Sequence, residues 1–306
     1  MNDTSQSLDA DFLVVGLVRD CASTLKSEVS LLKAALAKAK NVYWLLIESD
    51  STDETLATLE ETARHLDNFR FISLGALGAE LSLRTERLAF CRNAYLNELC
   101  TNQLYHDVQY VIVADFDGLN TRITEEAILS CWERKDWDVC TANQDGPYYD
   151  IWALRHDDWC ANDCWAQHRF LSRYEADEGR LMYACVYAKM ITLPFNAEWV
   201  EVDSAFGGLA IYRRKAIEQA NYIGLNDEGA EICEHVLFHR QLRQRGYRIF
   251  INPKLINAEY TPQTEDLSAT RRLSRLIRRS IRKGAEFLMG RHRFAALKGM
   301  VKRISR

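Results

Sequence analysis

Proline and long apolar runs are both scarce in this sequence. Only 4 of the 306 residues are proline, so few positions would interrupt a helix or a central strand. The longest apolar stretches have the length of a strand, far below the roughly 20 residues that a membrane-spanning helix requires. The segment MNDTSQSLDADF has neither a basic start nor an apolar core, so we expect no secretory signal peptide.

Cysteine is present, but its spacing does not suggest a disulfide framework. The nine cysteines are an odd number on irregular spacings, and without an export signal we expect reduced thiols that mostly pack in the core. With 47% hydrophobic and 27% charged residues, the composition is that of an ordinary globular protein. We therefore expect a cytoplasmic protein with a substantial hydrophobic core.

Apolar runs alternate with amphipathic stretches along the first half of the chain. We predict strands at 11–18, 41–49, 69–74, 110–116 and 137–143, and helices at 24–40, 50–66, 85–103 and 123–134. This alternation is typical of an α/β fold with a mainly parallel sheet flanked by helices. After residue 145 the pattern loosens. There we predict two strands within 197–214, then a helix, a stop at Gly246 and a final strand within 228–255.

The segment YVIVADFDG places two acids at the end of an apolar strand, at Asp115 and Asp117. Carboxylates two residues apart point to one face of an extended strand. Hard cations such as Mg²⁺ and Mn²⁺ prefer carboxylate oxygens and substrate phosphates. The alternative is a surface turn with solvated acids. We favour a metal site because other polar clusters are expected at the same sheet edge, where open α/β sheets bind ligands.

Two of those polar clusters follow the first and second predicted strands. Arg19 follows the first strand, and Glu48, Asp50 and Asp53 lie in the segment ESDSTD after the second. An acid at a strand end can accept hydrogen bonds from a nucleobase or ribose. Ser51 or Asp53 could also cap the next helix, and both interpretations can hold at once.

The predicted helix at 85–103 is preceded and lined by arginines, at Arg84, Arg87 and Arg92. Arginine is suited to bidentate binding of phosphate. The alternative is a solvated helix face. That alternative suits Arg84 well, whereas Arg92 lies between Cys91 and Asn93 in the apolar part of the helix.

Four segments of this sequence resemble the nucleotide-sugar glycosyltransferases of the GT-A fold. In order along the chain they are LVVGLVRDCASTL, IESDSTDET, CRNAYLNEL and VIVADFDG. In particular they resemble glycosyltransferase family 2, where an acidic DDGSTD-T segment, an RN helix and a D-x-D strand end follow one another. The RN helix together with YYDIWALR is also similar, more loosely, to capsule-associated mannosyltransferases.

The resemblance extends over roughly residues 11–255 and implies a GT-A, Rossmann-like sheet. We therefore divide the chain into an N-terminal tail at 1–10, a nucleotide-sugar-binding half at 11–145, an acceptor-binding half at 146–262 and a basic helical tail at 263–306. The resemblance also implies Mn²⁺ or Mg²⁺ on Asp115 and Asp117, against the diphosphate of the donor. It further implies that Glu48 and Asp50 lie by the nucleoside. With the polar clusters and the arginine-bearing helix added, the donor-binding candidates are Arg19, Glu48, Asp50, Asp53, Arg87, Arg92, Asp115 and Asp117.

The catalytic candidates lie downstream. Many members of the family open a late helix with Glu-Asp, whereas this sequence reads Glu234-His235. Glu234 and Asp203 are candidates for the base or for a donor-sugar contact, and His235 for the base or a third metal ligand. An inverting enzyme needs such a base, and a retaining one relies more on leaving-group electrostatics. The sequence leaves both open.

The acceptor candidates lie in an aromatic segment and a glycine pair. Five of the seven tryptophans (132, 137, 152, 159 and 165) fall within 34 residues, and aromatic faces can stack on sugars while acids bind hydroxyls. The alternative is an aromatic satellite core. In the family, a loop resembling EVDSAFGGLAIYRR lies near donor sugar and acceptor. The acceptor-binding candidates are Tyr149, Asp150, Trp152, Arg155, Gly207 and Gly208.

The C-terminal segment is strongly basic. Residues 271–306 hold 13 Lys+Arg and one acid, Glu286, so the remaining chain carries a net charge of −16. Apolar residues at helical spacing predict an amphipathic helix on an anionic membrane surface, at the inner face of the membrane. Docking on the acidic body and nucleic-acid binding are alternatives, and no nucleic-acid motif supports the latter. The stripe at 294, 297, 301 and 304 leaves self-association open.

Together these features predict a metal-dependent glycosyltransferase. The donor would be a nucleotide-diphosphate sugar, with mannose as a candidate, and the acceptor a glycan or lipid-linked glycan of the cell surface. One alternative is a nucleotidyltransferase acting on a sugar phosphate, which usually has a glycine-rich loop after its first strand. The segment GLVRDCAST has a single glycine, which disfavours it. A non-catalytic membrane-associated sugar-binding protein is the other alternative, and the intact acids disfavour it.

Overall fold

The computed structural model of the protein describes residues 8–259 together with residues 261 and 264. Within this part of the chain, eight strands form one sheet in the order β3-β2-β1-β4-β7-β5-β8-β6. The strands are β1 (Leu8–Val18), β2 (Ala39–Glu48), β3 (Phe69–Ser73), β4 (Val108–Ala114), β5 (Val139–Gln144), β6 (Val200–Val202), β7 (Leu209–Arg213) and β8 (Ile249–Ala258).

Helices connect the strands. They are α1 (Leu25–Ala35), α2 (Thr55–His65), α3 (Arg84–Thr101), α4 (Glu125–Leu129), α5 (Cys164–Leu171), α6 (Glu178–Cys185), α7 (Arg214–Ile217) and α8 (Glu234–Gln244). In α1, the residues Leu25, Val29 and Leu32 are buried. Burial of each such side chain contributes about 1.5–3 kcal/mol. This helical spacing is the periodicity that the sequence displays.

The sheet is mixed and mainly parallel, as predicted. Strands β3, β2, β1 and β4 run parallel to one another. Strand β7 is antiparallel to both of its neighbours, β4 and β5. Strand β8 is parallel to β5, and the edge strand β6 is antiparallel to β8. The predicted α/β class is therefore confirmed.

The two predicted halves contribute strands to the same sheet. Strand β7, from the predicted acceptor half, lies between β4 and β5 of the predicted donor half. Because β7 is antiparallel to β4, with Leu209 opposite Ala114, the start of β7 meets the end of β4. The glycines before β7 are thereby placed beside the acids after β4.

Several predicted boundaries need correction. Strand β1 begins at Leu8 rather than residue 11, and the predicted helix at 24–40 ends at Ala35 because β2 already begins at Ala39. The predicted helix at 123–134 is reduced to α4 and a 3₁₀ turn at Ser130–Trp132. The predicted tryptophan cluster is not one group. Trp132 and Trp137 pack against each other within the core, with 5.8 Å between their ring centroids.

Among the described helices, none combines the length and the apolar character needed to cross a membrane. The predicted basic tail lies outside the described residues from residue 265 onward. Its predicted helix and its predicted surface for membrane or self-association therefore stay predictions.

Candidate functional site

The site is built where parallel strands end at one edge of the sheet. Val18, the last residue of β1, lies opposite Glu48, the last residue of β2. Strand β4 flanks β1 on the other side in the same direction. The segments that follow these three strands therefore emerge side by side, and they carry Arg19, Asp50 and Asp115.

Asp115 is the first residue after β4. Its backbone N–H donates to the carbonyl of Gly208 at 3.0 Å, and its carboxylate lies 3.8 Å from Nη2 of Arg92. Two residues on, Asp117 is exposed. Desolvation, with repulsion from Asp117, Asp150 and Glu234, raises the pKa of Asp115 to about 8 against the opposing charge of Arg92. Desolvation likewise raises the pKa of Asp117.

A side chain of helix α1 fixes the loop that carries Asp117. Glu28 of α1 is buried, and its two carboxylate oxygens accept the backbone N–H groups of Gly118 and Asn120, each at 2.9 Å. Burial raises the pKa of Glu28, while these two hydrogen bonds act in the opposite direction. Glu28 therefore fixes the backbone directly after Asp117.

Arg92 links two acids that are far apart in the sequence. It is buried at 4% exposure, and its Nε donates to Oε1 of Glu234 at 2.8 Å. Its guanidinium lies over the rings of Phe206 and Tyr222, at 5.4 and 5.6 Å from their centroids. Its Nη1 has no hydrogen-bond partner within the described part of the chain. The structure thus brings Arg92, Asp115 and Glu234 together.

His235 is buried beside Glu234 and stacks on Phe206, with 4.0 Å between ring centroids. Neither ring nitrogen has a hydrogen-bond partner among the described residues. Desolvation, with repulsion from Arg92 and His239, holds its pKa well below the ordinary histidine value, so the ring is neutral. No group of three Asp, Glu, His or Cys side chains that could hold a metal occurs in the described ranges, so His235 does not complete such a group with Asp115 and Asp117.

The glycine pair requires glycine at both positions. Gly207 and Gly208 have φ of +70° and +84°, where residues with a Cβ are strained. A Cβ on Gly208 would also lie 2.9 Å from the hydroxyl of Tyr149. The N–H of Gly207 donates to Oδ2 of Asp150 at 3.0 Å. Tyr149, Asp150 and both glycines therefore lie together beside Asp115.

Trp152 and Arg155 meet at Asp163. One oxygen of Asp163 accepts from Nε1 of Trp152 at 3.1 Å and from Nη2 of Arg155 at 2.7 Å. Its other oxygen caps α5 by accepting the N–H groups of the first turn. These two candidates thus make structural contacts within the irregular segment.

The acids after β2 are also held by internal hydrogen bonds. Glu48 is buried, and its oxygens accept from the N–H of Ser51 at 3.0 Å and from the hydroxyl of Ser73. Asp50 has φ of +59° and accepts the N–H of Gly78 at 2.8 Å. Glu48 and Asp50 therefore stabilise the loops at the nucleoside side of the predicted site.

Asp53 joins the loops that follow β1 and β2. It accepts the N–H of Ala22 at 3.1 Å and that of Thr55, the first residue of α2, at 2.9 Å. Of the two predicted helix caps, it is therefore Asp53 that contacts the first turn. Arg19, also on this edge, has an exposed side chain 3.5 Å from Asp20.

Arg87 and Asp203 lie in contacts other than those predicted. Nη1 of Arg87 donates to the carbonyls of Leu81 and Ser82 at 2.6 and 2.8 Å. Asp203 accepts from Nε of Arg243 at 3.2 Å. Neither contact involves the acids after β4.

Two residues with a role at this edge were not among the predicted donor contacts. The charge of Arg84, the exposed first residue of α3, opposes the rise in the pKa of Asp117 that desolvation causes. The sequence interpretation discounted it as a solvated residue. Glu28 was also missed, although an acid on the apolar stripe of α1 is a usable signal, because such a carboxylate needs partners when it is buried.

Comparison with known proteins adds structural likeness only. Neither a family model nor a curated protein matches the chain. Among solved structures, the chain is similar in fold to GT-A-type glycosyltransferases. One is the mannosyltransferase PcManGT from Pyrobaculum calidifontis in complex with GDP-Man and Mn²⁺, at 12% identity and a TM-score of 0.49, covering 84% of this chain and 59% of that one.

Two further solved structures are similar at comparable levels. TarS 1–349 of S. aureus has 16% identity and a TM-score of 0.41, covering 79% of this chain and 57% of that one. Glucosyl-3-phosphoglycerate synthase from Mycobacterium tuberculosis, in complex with UDP, has 11% identity and a TM-score of 0.38, covering 86% and 76%. The chain thus spans less than two thirds of the first two. At these levels we draw nothing from them about its donor, acceptor or metal.

Proposed function

We propose that this protein is a metal-dependent GT-A glycosyltransferase. It transfers a sugar, with mannose as a candidate, from a nucleotide-diphosphate donor to a glycan or lipid-linked glycan in cell-surface polysaccharide or glycoconjugate synthesis. The observation that carries the proposal is the pair Asp115 and Asp117 at the end of β4, beside Arg92 and Glu234. The edge of the sheet where this cluster lies is the ligand-binding edge of open α/β sheets.

The two carboxylate side chains of this pair are suitable ligands for a hard divalent cation. Desolvation raises the pKa of both carboxylates, and neighbouring acids add to the rise at Asp115. A bound cation stabilises such a pair in its ionised form. Mg²⁺ and Mn²⁺ commonly take one or two protein carboxylates and complete their coordination with substrate phosphates and water. Asp115 and Asp117 would hold the ion. A bound cation of this kind neutralises charge that develops on a departing diphosphate.

Two arginines have complementary roles in this proposal. Arg84 is exposed beside Asp117 and binds the diphosphate of the donor, as guanidinium groups readily do. Arg92 is buried and holds Glu234 through the 2.8 Å hydrogen bond. Arg92 is thus a positioning residue, whereas Arg84 touches the donor.

Glu234 is the preferred candidate for the base or for a contact to the donor sugar. A carboxylate base is what an inverting transfer needs to accept the proton of the acceptor hydroxyl. His235, as a neutral imidazole, is the second candidate because a neutral ring nitrogen can accept a proton. Asp203 is not proposed as the base, because it pairs with Arg243, whereas Glu234 belongs to the cluster of Arg92 and Asp115.

The remaining predicted residues bind or shape the two substrates. Arg19, Glu48, Asp50 and Asp53 form the nucleoside side, where Glu48 and Asp53 order the loops by their internal hydrogen bonds. The Gly207–Gly208 pair, held by Asp150, lets the donor sugar approach the backbone closely.

A thermal-shift panel tests the proposal. UDP, GDP, CDP and their sugars are compared with and without Mn²⁺ for the full chain. A ligand at 100 times its Kd stabilises a protein by about 2.7 kcal/mol, so we expect a shift of roughly 5 °C or more with one diphosphate. Absence of stabilisation by every diphosphate nucleoside contradicts the proposal. Stabilisation by nucleoside triphosphates alone indicates the nucleotidyltransferase alternative.

The basic segment gives a separate part of the proposal. Residues 271–306, with their net charge of +12, bind an anionic membrane surface and bring the enzyme to lipid-linked acceptors, each basic residue near the surface contributing about 1 kcal/mol. Co-sedimentation with phosphatidylglycerol-containing vesicles checks this on the full chain and on a chain truncated after residue 270. Equal sedimentation of the two chains contradicts the membrane role.

A further inference from the structure

A cavity of about 600 Å³ lies next to the candidate site. It is bordered by residues of α4, by the ends of β5 and β8, and by the segment 192–195. Small-molecule sites commonly have volumes of roughly 300–1,000 Å³. The residues that line the cavity include none of the predicted donor, metal or acceptor residues.

One layer of amide side chains separates this cavity from the acid cluster. Gln144 borders the cavity, and its Nε2 donates to the carbonyl of Gly207 and to Oδ1 of Asn257, each at 3.1 Å. Asn257 also donates to the carbonyl of Gly207, at 2.8 Å. The N–H of the same Gly207 donates to Asp150 on the side of the acid cluster. A ligand in the cavity would therefore lie one side-chain layer from the glycine pair.

The charges around the cavity are unsuited to an anionic ligand. Lys254 is paired with Glu133 at 2.6 Å, and Arg122 lies 3.6 Å from Glu259. Glu126 and Asp145 form no salt bridge with any described residue. Because the cations are already paired and the remaining charges are acids, a phosphate or a nucleotide would be repelled.

The other walls of the cavity are apolar. They include Leu193, Pro194 and Ile256, and Phe195 at the rim is 61% exposed. Thr124 and Thr192 add hydroxyl groups. An aromatic face beside carboxylates and hydroxyls matches a ligand with an apolar C–H face and many O–H donors. A neutral sugar has both of these features.

We propose that the cavity is a saccharide-binding subsite, which holds a sugar unit of the acceptor remote from the hydroxyl that reacts. Phe195 stacks on the sugar, and Glu126 and Asp145 accept hydrogen bonds from its hydroxyls. The subsite rests on the proposed glycosyltransferase function, because it assigns the bound saccharide to the acceptor. It extends acceptor binding beyond the residues predicted for it.

A glycan microarray tests the subsite with the labelled full chain. We expect the wild-type chain to bind a defined set of saccharides. The variants Phe195→Ala and Glu126→Gln should each lower that binding about tenfold, since an aromatic contact or a charge-assisted hydrogen bond contributes on that order. Phe90→Ala is the matched control, because Phe90 is 50% exposed on α3 and does not line the cavity.

Donor stabilisation is measured on the same proteins, as the thermal shift with nucleotide diphosphates and Mn²⁺. Both cavity variants should keep the wild-type donor shift. The subsite is overturned if the wild-type chain binds no saccharide, or if Phe195→Ala binds as the wild type does. Loss of binding in Phe90→Ala to the same extent overturns it as well. A wild-type chain without any donor shift contradicts the proposed function instead.

Discussion

Residues 8–145 and the segment 146–199 are stabilised by different kinds of contact. In the first region, backbone ladders between β1, β2, β3 and β4 determine where the polar loops emerge. In the second, side-chain hydrogen bonds stabilise irregular backbone, as where Asp163 accepts hydrogen bonds from Trp152 and Arg155. The proposed donor side of the candidate site is therefore positioned mainly by the sheet, whereas the proposed acceptor side depends on individual side-chain contacts.

The two regions also differ in their surfaces. Of the large hydrophobic residues that are exposed in the described part of the chain, most lie in 165–195, namely Trp165, Phe170, Tyr174, Tyr183, Tyr187, Ile191 and Phe195. Exposed apolar patches mark interaction sites more often than isolated exposed residues do. The sheet thus positions the acid cluster, whereas the segment 146–199 exposes apolar side chains, of which Phe195 lines the cavity.

The sharpest test of the fixed centre is Asp117→Ala. Asp117 is exposed at the end of a strand-supported loop, so we expect little change in folding. We expect metal-dependent transfer to fall by about 10³-fold or more, because a metal ion contributes several kcal/mol of charge stabilisation. Nucleotide release from the donor, measured at saturating Mn²⁺, checks this. The control is Asp107→Ala, whose acid is 84% exposed elsewhere on the surface, and equal activity of the two variants contradicts the assignment.

Glu28→Ala tests whether the proposed donor side of the site also depends on a buried side chain. The change leaves the N–H groups of Gly118 and Asn120 without their acceptors. An unsatisfied buried donor costs about 1–3 kcal/mol, so we expect the free energy of unfolding to fall by about 2–4 kcal/mol. Urea denaturation measures this. Glu60→Ala, at an exposed position of α2, should change it by less than about 0.5 kcal/mol, and a similar loss in both variants would count against the contact.

His239 gives a pH test of the region after residue 199. Its ring is buried between the hydroxyls of Ser204 and Tyr212, and desolvation, with the charge of Arg92, lowers its pKa from 6.5 to about 3. Below pH 6.5 the unfolded chain therefore protonates His239, whereas in the folded chain the ring stays neutral until the pH approaches 3. Stability from this group is complete above pH 6.5 and is lost as the pH falls towards 3.

The measurement is the unfolding free energy at pH 7 and pH 5, for the wild type and His239→Gln. We expect the wild type to lose about 2 kcal/mol more than the variant over this interval. Taking the difference between the two proteins removes the contributions of His235 and of the acids. Parallel pH dependence of the two proteins would show that His239 is not buried as the neutral form.

Arg84→Ala is expected to have the smallest effect, because its side chain is exposed and screened by solvent. We expect the KM for the donor to rise about tenfold with little change in kcat, which is the signature of lost uniform binding. The weakening should diminish at high salt. Arg64→Ala, on the exposed face of α2, is the matched control, and an equal KM effect there contradicts a specific phosphate contact.

Much of the donor side could be predicted from local pattern. Apolar runs such as LVVGLV and VIVA have to be buried on both faces, and parallel strands end at one edge. From this pattern, Arg19, Asp50 and Asp115 are predicted to lie at the same edge of the sheet. The pattern did not point to Arg84, which we propose as a phosphate contact, because an exposed arginine in the first turn of a helix has no local feature that separates such a contact from a solvated residue.

The sequence by itself determined the strands, the mainly parallel sheet and the edge where the acids lie, because periodicity is set by near neighbours along the chain. Only the tertiary structure decided which side chains meet. Arg92 and Glu234 are 142 residues apart and form a 2.8 Å hydrogen bond, and Gln144 reaches Gly207 across 63 residues. Such contacts depend on how β7 and α8 pack against the parallel strands, and this packing leaves no periodic signal in either segment.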